Sequence, residues 1–226
     1  MHEAILDAAW SLVREQGLAG LSLRDLAKRA GTTTPTVYAY FDNKHAIYDT
    51  MFSQAMAEFV ACLGATSQMT APRDILTEGL RRFTTFCTSD VPRYQLLFQR
   101  TIPGFKPSSE AYTHSLRAFD LMLGQLAGVG IIDPRDVDMW TALTIGLVDQ
   151  QISNDPGGTR WIGLIDDAVA MFLEHHPRSR RTRRPSGSRT IPPLGTASAE
   201  AATPCVPILG NPQPRLANHP SERTHP

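Results

Sequence analysis

Residues 21–52 read LSLRDLAKRAGTTTPTVYAYFDNKHAIYDTMF. Ser22 precedes an apolar run and Asp25 follows three positions on, the spacing of a capping box in which a hydroxyl accepts from an orphan amide. A short second helix starts there, with Leu23, Leu26, Ala27 and Ala30 on its buried side. Gly31 stops it, because glycine takes the left-handed backbone of a helix C-cap without a Cβ penalty. Thr32, Thr33 and Thr34 lead into Pro35, placed where a first helical turn tolerates a missing amide donor. A third helix then carries Thr36, Val37, Tyr38, Tyr40 and Phe41. Two helices crossing at about 90–120° around one tight turn need a small residue at the crossing, tolerance of positive φ in the turn, and an aliphatic plug behind the second helix. Ala27, Gly31 and Val37 meet the three demands, so the spacing predicts a helix-turn-helix. Any tight helical hairpin asks for much the same, and the exposed side chains must decide what this one does.

Those side chains are Thr33, Thr34, Thr36, Tyr38 and Tyr40, hydroxyls and phenols near the start of the third helix. That end of a recognition helix meets base edges and phosphates in the major groove, whereas an idle helix surface more often carries Glu and Lys. Lys44 opens the next helix, where a cation opposes the macrodipole but where lysine and free amides together can hold a phosphate. Arg24, Lys28 and Arg29 lie on the preceding helix, and residues 22–44 carry four cations against Asp25 and Asp42. The expected DNA-contacting set is Ser22, Arg24, Thr33, Thr34, Thr36, Tyr38, Tyr40 and Lys44.

Toward the N-terminus, Ile5, Leu6, Ala9, Leu12 and Val13 recur at helical spacing in a first helix that Gly17 ends. Toward the C-terminus, Asp42 and Asn43 can cap a fourth helix from Lys44 to about Gly64, with Ile47, Met51, Ala55, Phe59 and Cys62 at intervals of three or four. Beyond Pro72 the pattern predicts helices near 73–89, 91–100, 109–128, 134–153 and 158–175, with Pro92, Pro103, Pro107, Pro134 and the run from Asp155 to Gly158 at the joints. No run alternates with period two over a strand length. The expected class is all-α, divided into a helix-turn-helix domain at 1–50, a helical ligand-binding and dimerisation domain at 51–176, and a disordered Arg- and Pro-rich tail at 177–226.

Composition narrows the function. The chain has 226 residues, and its 22 Lys and Arg balance 22 Asp and Glu. The balance is a cancellation. Residues 177–226 hold eight Arg against Glu200 and Glu222, leaving the remainder with a deficit of six. The same tail holds ten of the seventeen prolines and little aliphatic periodicity, so it buries too little apolar surface to offset its ordering entropy. Its RSRRTRRPSGSR run at 178–189 either adds sequence-independent attraction to phosphates or is simply solvated. Cys62, Cys87 and Cys205 stand far apart, which supports neither a disulfide framework nor a zinc module and fits a reducing cytoplasm. Glu3, Asp7, Arg14 and Glu15 interrupt the run a signal peptide would need, and no stretch has eighteen consecutive apolar residues, so neither export nor a membrane span is expected.

The stretch quoted at the outset, within residues 5–52, resembles the DNA-binding domain of the tetracycline-repressor (TetR) family of bacterial transcription regulators. The shared motif is a glycine turn followed by Tyr-x-x-Phe and a Lys three residues later, matched by Gly31, Tyr38, Phe41 and Lys44. RYQLLFQRTIPGFKPSSEAYTHS at 93–115 and VDMWTALTIGLVDQQISNDPGG at 137–158 resemble a C-terminal domain seen in actinobacterial members. The resemblance implies a homodimer of all-α subunits. In each, a three-helix DNA-binding domain joins through a fourth helix to a larger domain that binds a small molecule and dimerises through its last two helices. This chain departs from the family pattern in three ways: only Met1, His2 and Glu3 precede the first apolar face, Pro35 and Ala39 stand where glycine and histidine are common, and His45 replaces a frequent glutamate.

Candidates in the larger half follow from the same reading. Phe83, Phe86, Tyr94, Phe98, Phe119 and Trp140, with Tyr112 and Met122, are spread over several helices and either line a cavity between them or fill core. Leu147 in an apolar eighth helix, and Trp161, Ile165 and Phe172 in the last, are expected at a dimer interface, the alternative being a thick monomer core. The chain has no G-x-S-x-G, P-loop or H-E-x-x-H motif, and His114 is a lone histidine, so no enzyme activity, cofactor or metal is expected. The expected partners are a double-stranded DNA operator, a small-molecule effector and a second copy of the chain. A helical carrier or protein-binding module with a vestigial helix-turn-helix is the rival reading.

Overall fold

The computed structural model describes residues 1–64 and 69–175; the tail 177–226, with its arginine run and Cys205, and His176 lie outside the described residues. Helix α1 spans His2–Gln16 and buries Ile5, Leu6, Ala9, Leu12 and Val13, with Ala8 and Trp10 beside them. Gly17 ends it at φ 75°, its amide donating to the Val13 carbonyl at 2.9 Å. After a 3-10 turn at Leu18–Gly20, α2 runs over Leu23–Arg29, and Ser22 caps it by accepting from the Asp25 amide. Gly31, at φ 65°, donates to the Lys28 carbonyl while Thr32 donates to Ala27, the paired bonds of a Schellman stop.

Helix α3 spans Thr34–Tyr38, capped by Thr33 with Pro35 in the first turn. It is one turn shorter than the spacing predicts. Tyr40 and Phe41 lie in the turn that follows, both amides donating to the Val37 carbonyl. β-branched and aromatic residues are weak helix formers, buried Phe41 fixes the chain, and Asn43 draws it into the cap of the next helix. That helix, α4, spans Lys44–Leu63.

Five helices follow: α5 over Pro72–Ser89, α6 over Val91–Phe98, α7 over Ser109–Gly128, α8 over Pro134–Asn154 and α9 over Ile165–His175. There is no strand among the described residues. The last helix begins seven positions later than expected, and Gln151 supplies the reason. Its buried side chain donates to the carbonyls of Asp155 and Gly158 and accepts from the amides of Trp161 and Ile162. Backbone groups satisfied in this way have no need of a helix, so the segment turns through Asp155–Trp161 and a 3-10 turn at Ile162–Leu164 before α9 starts.

The buried side chains form two clusters. The first joins α1, α2, α3 and all of α4 to Tyr94 and Leu97 of α6 and Ala111 and Ala118 of α7. It therefore runs continuously across position 50, where α4 itself is unbroken. The second joins Leu76 and Leu80 of α5 to Leu126, Trp140, Leu147, Val169 and Phe172. Phe83 of α5 packs against both. Polar ties fasten the N-terminal helices to the rest: Arg14 clasps the buried carboxylate of Asp90 at 2.7 and 2.9 Å, Trp10 donates to Gln54, and the Ser108 amide donates to Asp49.

Candidate nucleic-acid interface and effector cavity

The two-helix head is held from behind. Leu26, Val37 and Ile47 have no exposure, Ala27 is buried at the crossing, and Phe41 closes the rim. Tyr48 of α4 is fully buried too, its hydroxyl donating to the Leu18 carbonyl, and burial pushes its pKa up to about 12. With every apolar face turned inward, α3 shows solvent its hydroxyls and phenols. Tyr38 is 52% and Tyr40 48% exposed, Thr33 is exposed, and Thr34 and Thr36 are half-buried. The Thr33 and Thr36 hydroxyls lie 2.9 Å apart in one hydrogen bond, so this pair shapes the start of the helix as well as its surface.

The cations divide. Arg24 and Lys28 stand exposed on α2 with no ion pair among the described residues. Arg29 grips Glu15 with two parallel bonds of 2.7 Å, which hold the Glu15 carboxyl below its ordinary value and raise the guanidinium. It is spent inside the protein. Lys44 is half-buried; its ammonium donates to the Ala19 carbonyl at 3.4 Å and lies 5.6 Å from the Tyr48 ring centroid. Lys44 thus ties α4 to the turn before α2, with two donors remaining for a phosphate. Ser22 serves as the α2 cap through its oxygen lone pair, which leaves its own hydrogen to donate outward. His2 was unforeseen: its ring stacks on Phe41 at 4.9 Å and meets Tyr40 edge-on at 6.4 Å, so the first turn of α1 borders the same surface. A histidine two residues from the start of a chain carries no pattern that marks it.

Behind the head, α4 to α8 enclose an apolar cavity of about 140 Å³. Phe83, Phe98, Phe119 and Trp140 line it. Phe86 and Tyr94 do not; both belong to the first cluster, where Phe86 lies under the Arg93 guanidinium and the Tyr94 hydroxyl donates to Asp149 at 2.7 Å. Burial, and then that bond, push the Tyr94 pKa well up. Periodicity bears no mark of the cavity's polar groups, Ser115, Gln125, Thr141 and Thr144, since each falls on an otherwise apolar helix face. Met56, Phe59 and Leu63 of α4 complete the wall on the head's side.

The residues expected at a subunit interface have partners within one protomer. Leu147, Ile165 and Phe172 are buried in the second cluster, Phe172 with its ring 4.9 Å from Trp140, and Trp161 is half-buried. Leu147, Ile165 and Phe172 are thus covered within the protomer, while Trp161 keeps part of its surface open. The large exposed apolar side chains on the same helices are Met139 and Met171, with Leu164 just before α9. Among the described residues no group of three or more His, Cys, Asp or Glu side chains could hold a metal ion, and no helix is long and apolar enough to cross a membrane.

Residues 5–51 match the family model described as bacterial regulatory proteins, tetR family. Over 56 residues the chain is 38% identical to the class D tetracycline repressor protein of Escherichia coli, a match covering 25% of this chain and 26% of that one. The curated relatives are thus matched over about a quarter to a third of their length. Similarity of fold extends much further. A protein of unknown function from Rhodococcus sp. RHA1 superposes with a TM-score of 0.66 at 17% identity, covering 77% of this chain and 94% of that one. The transcriptional regulator FadR from Bacillus subtilis, solved in complex with stearoyl-CoA, superposes with a TM-score of 0.58 at 18% identity, covering 76% and 98%.

Proposed function

The chain belongs to the tetR family of bacterial regulatory proteins, and on that premise we propose that it is a ligand-responsive DNA-binding regulator of transcription, a cytoplasmic repressor that a small molecule releases from a pseudo-palindromic operator. The observation that carries the reading is the reach of α4. Its first turns, at Ile47 and Tyr48, are buried in the same cluster as Leu26 and Val37 of the head, and its last turns, at Met56, Phe59 and Leu63, form a wall of the cavity. A helix of 20 residues spans about 30 Å. Whatever fills the cavity bears on the element that aims the head.

In this reading residues 1–50 read DNA and 51–176 hold the effector and dimerise, while the arginine-rich tail at 177–226 either adds phosphate attraction or is simply solvated. Tyr38, Tyr40, Thr34 and Thr36 meet base edges, while Ser22, Arg24, Thr33 and Lys44 hold the backbone. Two protomers joined through their last two helices, α8 and α9, present their α3 helices about 34–36 Å apart, one turn of duplex. The effector favours a dimer in which that spacing is lost, and DNA affinity falls by the ratio of its affinities for the two states. The bound stearoyl-CoA of FadR supports a helical body of this fold as a ligand holder.

The test is fluorescence anisotropy of the full chain with duplex from upstream of its own coding region, against random duplex of equal length. We expect binding at least about 1,000-fold tighter to the upstream duplex, the lower end for specific recognition. Equal affinity for both at every salt concentration sinks the regulator reading and favours a carrier or protein-binding module with a vestigial head.

A further inference from the structure

The cavity has a chemical bias that its shape alone does not reveal. None of the described residues that line it is Asp, Glu, Lys, Arg or His. A carboxylate or ammonium placed there would lose its water and gain no counter-charge, and a buried charge without a partner is the most costly of all side-chain or ligand burials. Polarity enters at four positions. The Thr141 hydroxyl donates to the Val137 carbonyl at 2.9 Å and the Thr144 hydroxyl to the Thr141 carbonyl at 3.1 Å, so both have spent their hydrogens on the helix and offer lone pairs only. The Gln125 amide donates to the Leu63 carbonyl.

Ser115 differs. It is 5% exposed, lines the cavity from α7, and its hydroxyl has no hydrogen-bond partner. Buried hydroxyls are almost always satisfied. An unsatisfied one in a largely apolar wall is a donor for which no described residue provides the acceptor.

Size and shape add to this. A cavity of about 140 Å³ compares with the roughly 150 Å³ apolar void that accepts benzene in another protein. At the α4–α6 side, Phe59, Phe83 and Phe98 meet pairwise edge-to-face at 5.3–5.8 Å. A fourth ring extends that arrangement, since aromatic quadrupoles favour tilted contacts.

We propose that the cavity selects an uncharged, single-ring aromatic molecule bearing one acceptor oxygen, a ketone, ester or alcohol, with the ring among the phenylalanines and the oxygen on the Ser115 hydroxyl. The inference rests on the cavity being the effector site of the proposed regulator, and it is tested without DNA so that the two can fail separately.

The probes are acetophenone, benzyl alcohol, benzoate, benzylamine and toluene, titrated calorimetrically into the full chain at neutral pH. Acetophenone and benzyl alcohol should bind one per protomer, at least about tenfold tighter than benzoate or benzylamine and several-fold tighter than toluene. In Ser115→Ala the advantage of acetophenone over toluene should fall to about one, with the melting temperature of the free protein unchanged or raised, because the lost group had no partner. A second variant, Thr113→Ala, exposed on the same helix as Ser115 but away from the cavity, should leave acetophenone affinity within about twofold. Benzoate binding as tightly as benzyl alcohol overturns the inference, as does an oxygen preference that survives Ser115→Ala, or the absence of binding by every probe. Binding as expected, but with no effect of acetophenone on DNA affinity, leaves the cavity's selectivity standing and counts against the regulator reading alone.

Discussion

The two-helix head and the cavity-bearing body are built to different tolerances. In and around the first, Ile5, Ala9, Val13, Leu26, Val37, Ile47, Tyr48 and Met51 are all fully buried, and the polar groups among them have partners, down to the phenol of Tyr48 on the Leu18 carbonyl. In the body, a cavity is left where the two buried clusters meet, walled by Met56, Phe59 and Leu63 of one and Leu76, Leu80 and Trp140 of the other, and among the described residues the buried polar atoms without a partner, those of Thr77, Arg93, Ser115 and Trp161, all come from α5 onward. A close-packed region resists deformation while a void gives way. A head that must present one surface to a duplex needs the first kind of packing; a body that must accommodate a guest and move on doing so needs the second.

Substitutions can break that contrast. Leu26→Ala removes a fully buried side chain from the close-packed head, and we expect a loss of about 2–5 kcal/mol in urea unfolding. Phe119→Ala, at a half-buried ring already facing the cavity, should cost less than half as much. Equal losses would mean that the head and the cavity wall are packed alike. Next in size is Tyr40→Ala. It should weaken specific DNA binding by about 1–3 kcal/mol with the melting temperature unmoved, because the ring is exposed on the face turned away from the core. A matching loss on random duplex would reassign Tyr40 from base edge to phosphate.

Gln151→Ala leaves the amides of Trp161 and Ile162 and the carbonyls of Asp155 and Gly158 short of partners. A loss of about 1–3 kcal/mol is expected, with amide exchange rising at 155–162 and unchanged in α1 to α3. Exchange that rises in the head as well would show that the two regions unfold as one.

Alkaline pH sharpens the contrast from the other direction. The Tyr48 pKa is raised in the folded state, so its contribution is complete below the unfolded value near 10 and drains away as pH rises toward about 12. Tyr48→Phe should flatten that limb of the melting-temperature profile. An unchanged limb would place its cause elsewhere, Tyr94 being the next buried phenol. The smallest effect belongs to Arg81→Ala. The Arg81–Asp166 pair is half exposed on both sides, and its removal should change stability by no more than about 1 kcal/mol.

Much of this was legible in the chain because local chemistry and tertiary role coincide. Ser22, Gly31 and Asn43 are caps by their own stereochemistry, and each sits where its spacing puts it. Legibility ended where a partner distant in sequence decides the outcome. The late start of α9 depends on Gln151, an amide whose place in an apolar helix face carries no periodic signal. The end of α3 depends on Phe41 being drawn into the core. Whether Leu147, Ile165 and Phe172 face a second subunit or their own protomer is likewise invisible in a stripe of apolar residues, since both fates need the same stripe. Ser115 reads as an ordinary helical serine until its neighbours are known.

The central claim, that the hydroxyl- and phenol-bearing face of α3 reads a duplex, is tested most directly by selecting sequences from a pool of random duplexes with the full chain and again with its Tyr40→Ala variant. The account predicts that the wild-type chain enriches a palindrome with half-sites one helical turn apart, and that the variant loses preference at matching positions in each half. Enrichment of no sequence, or an identical palindrome from both proteins, would contradict it.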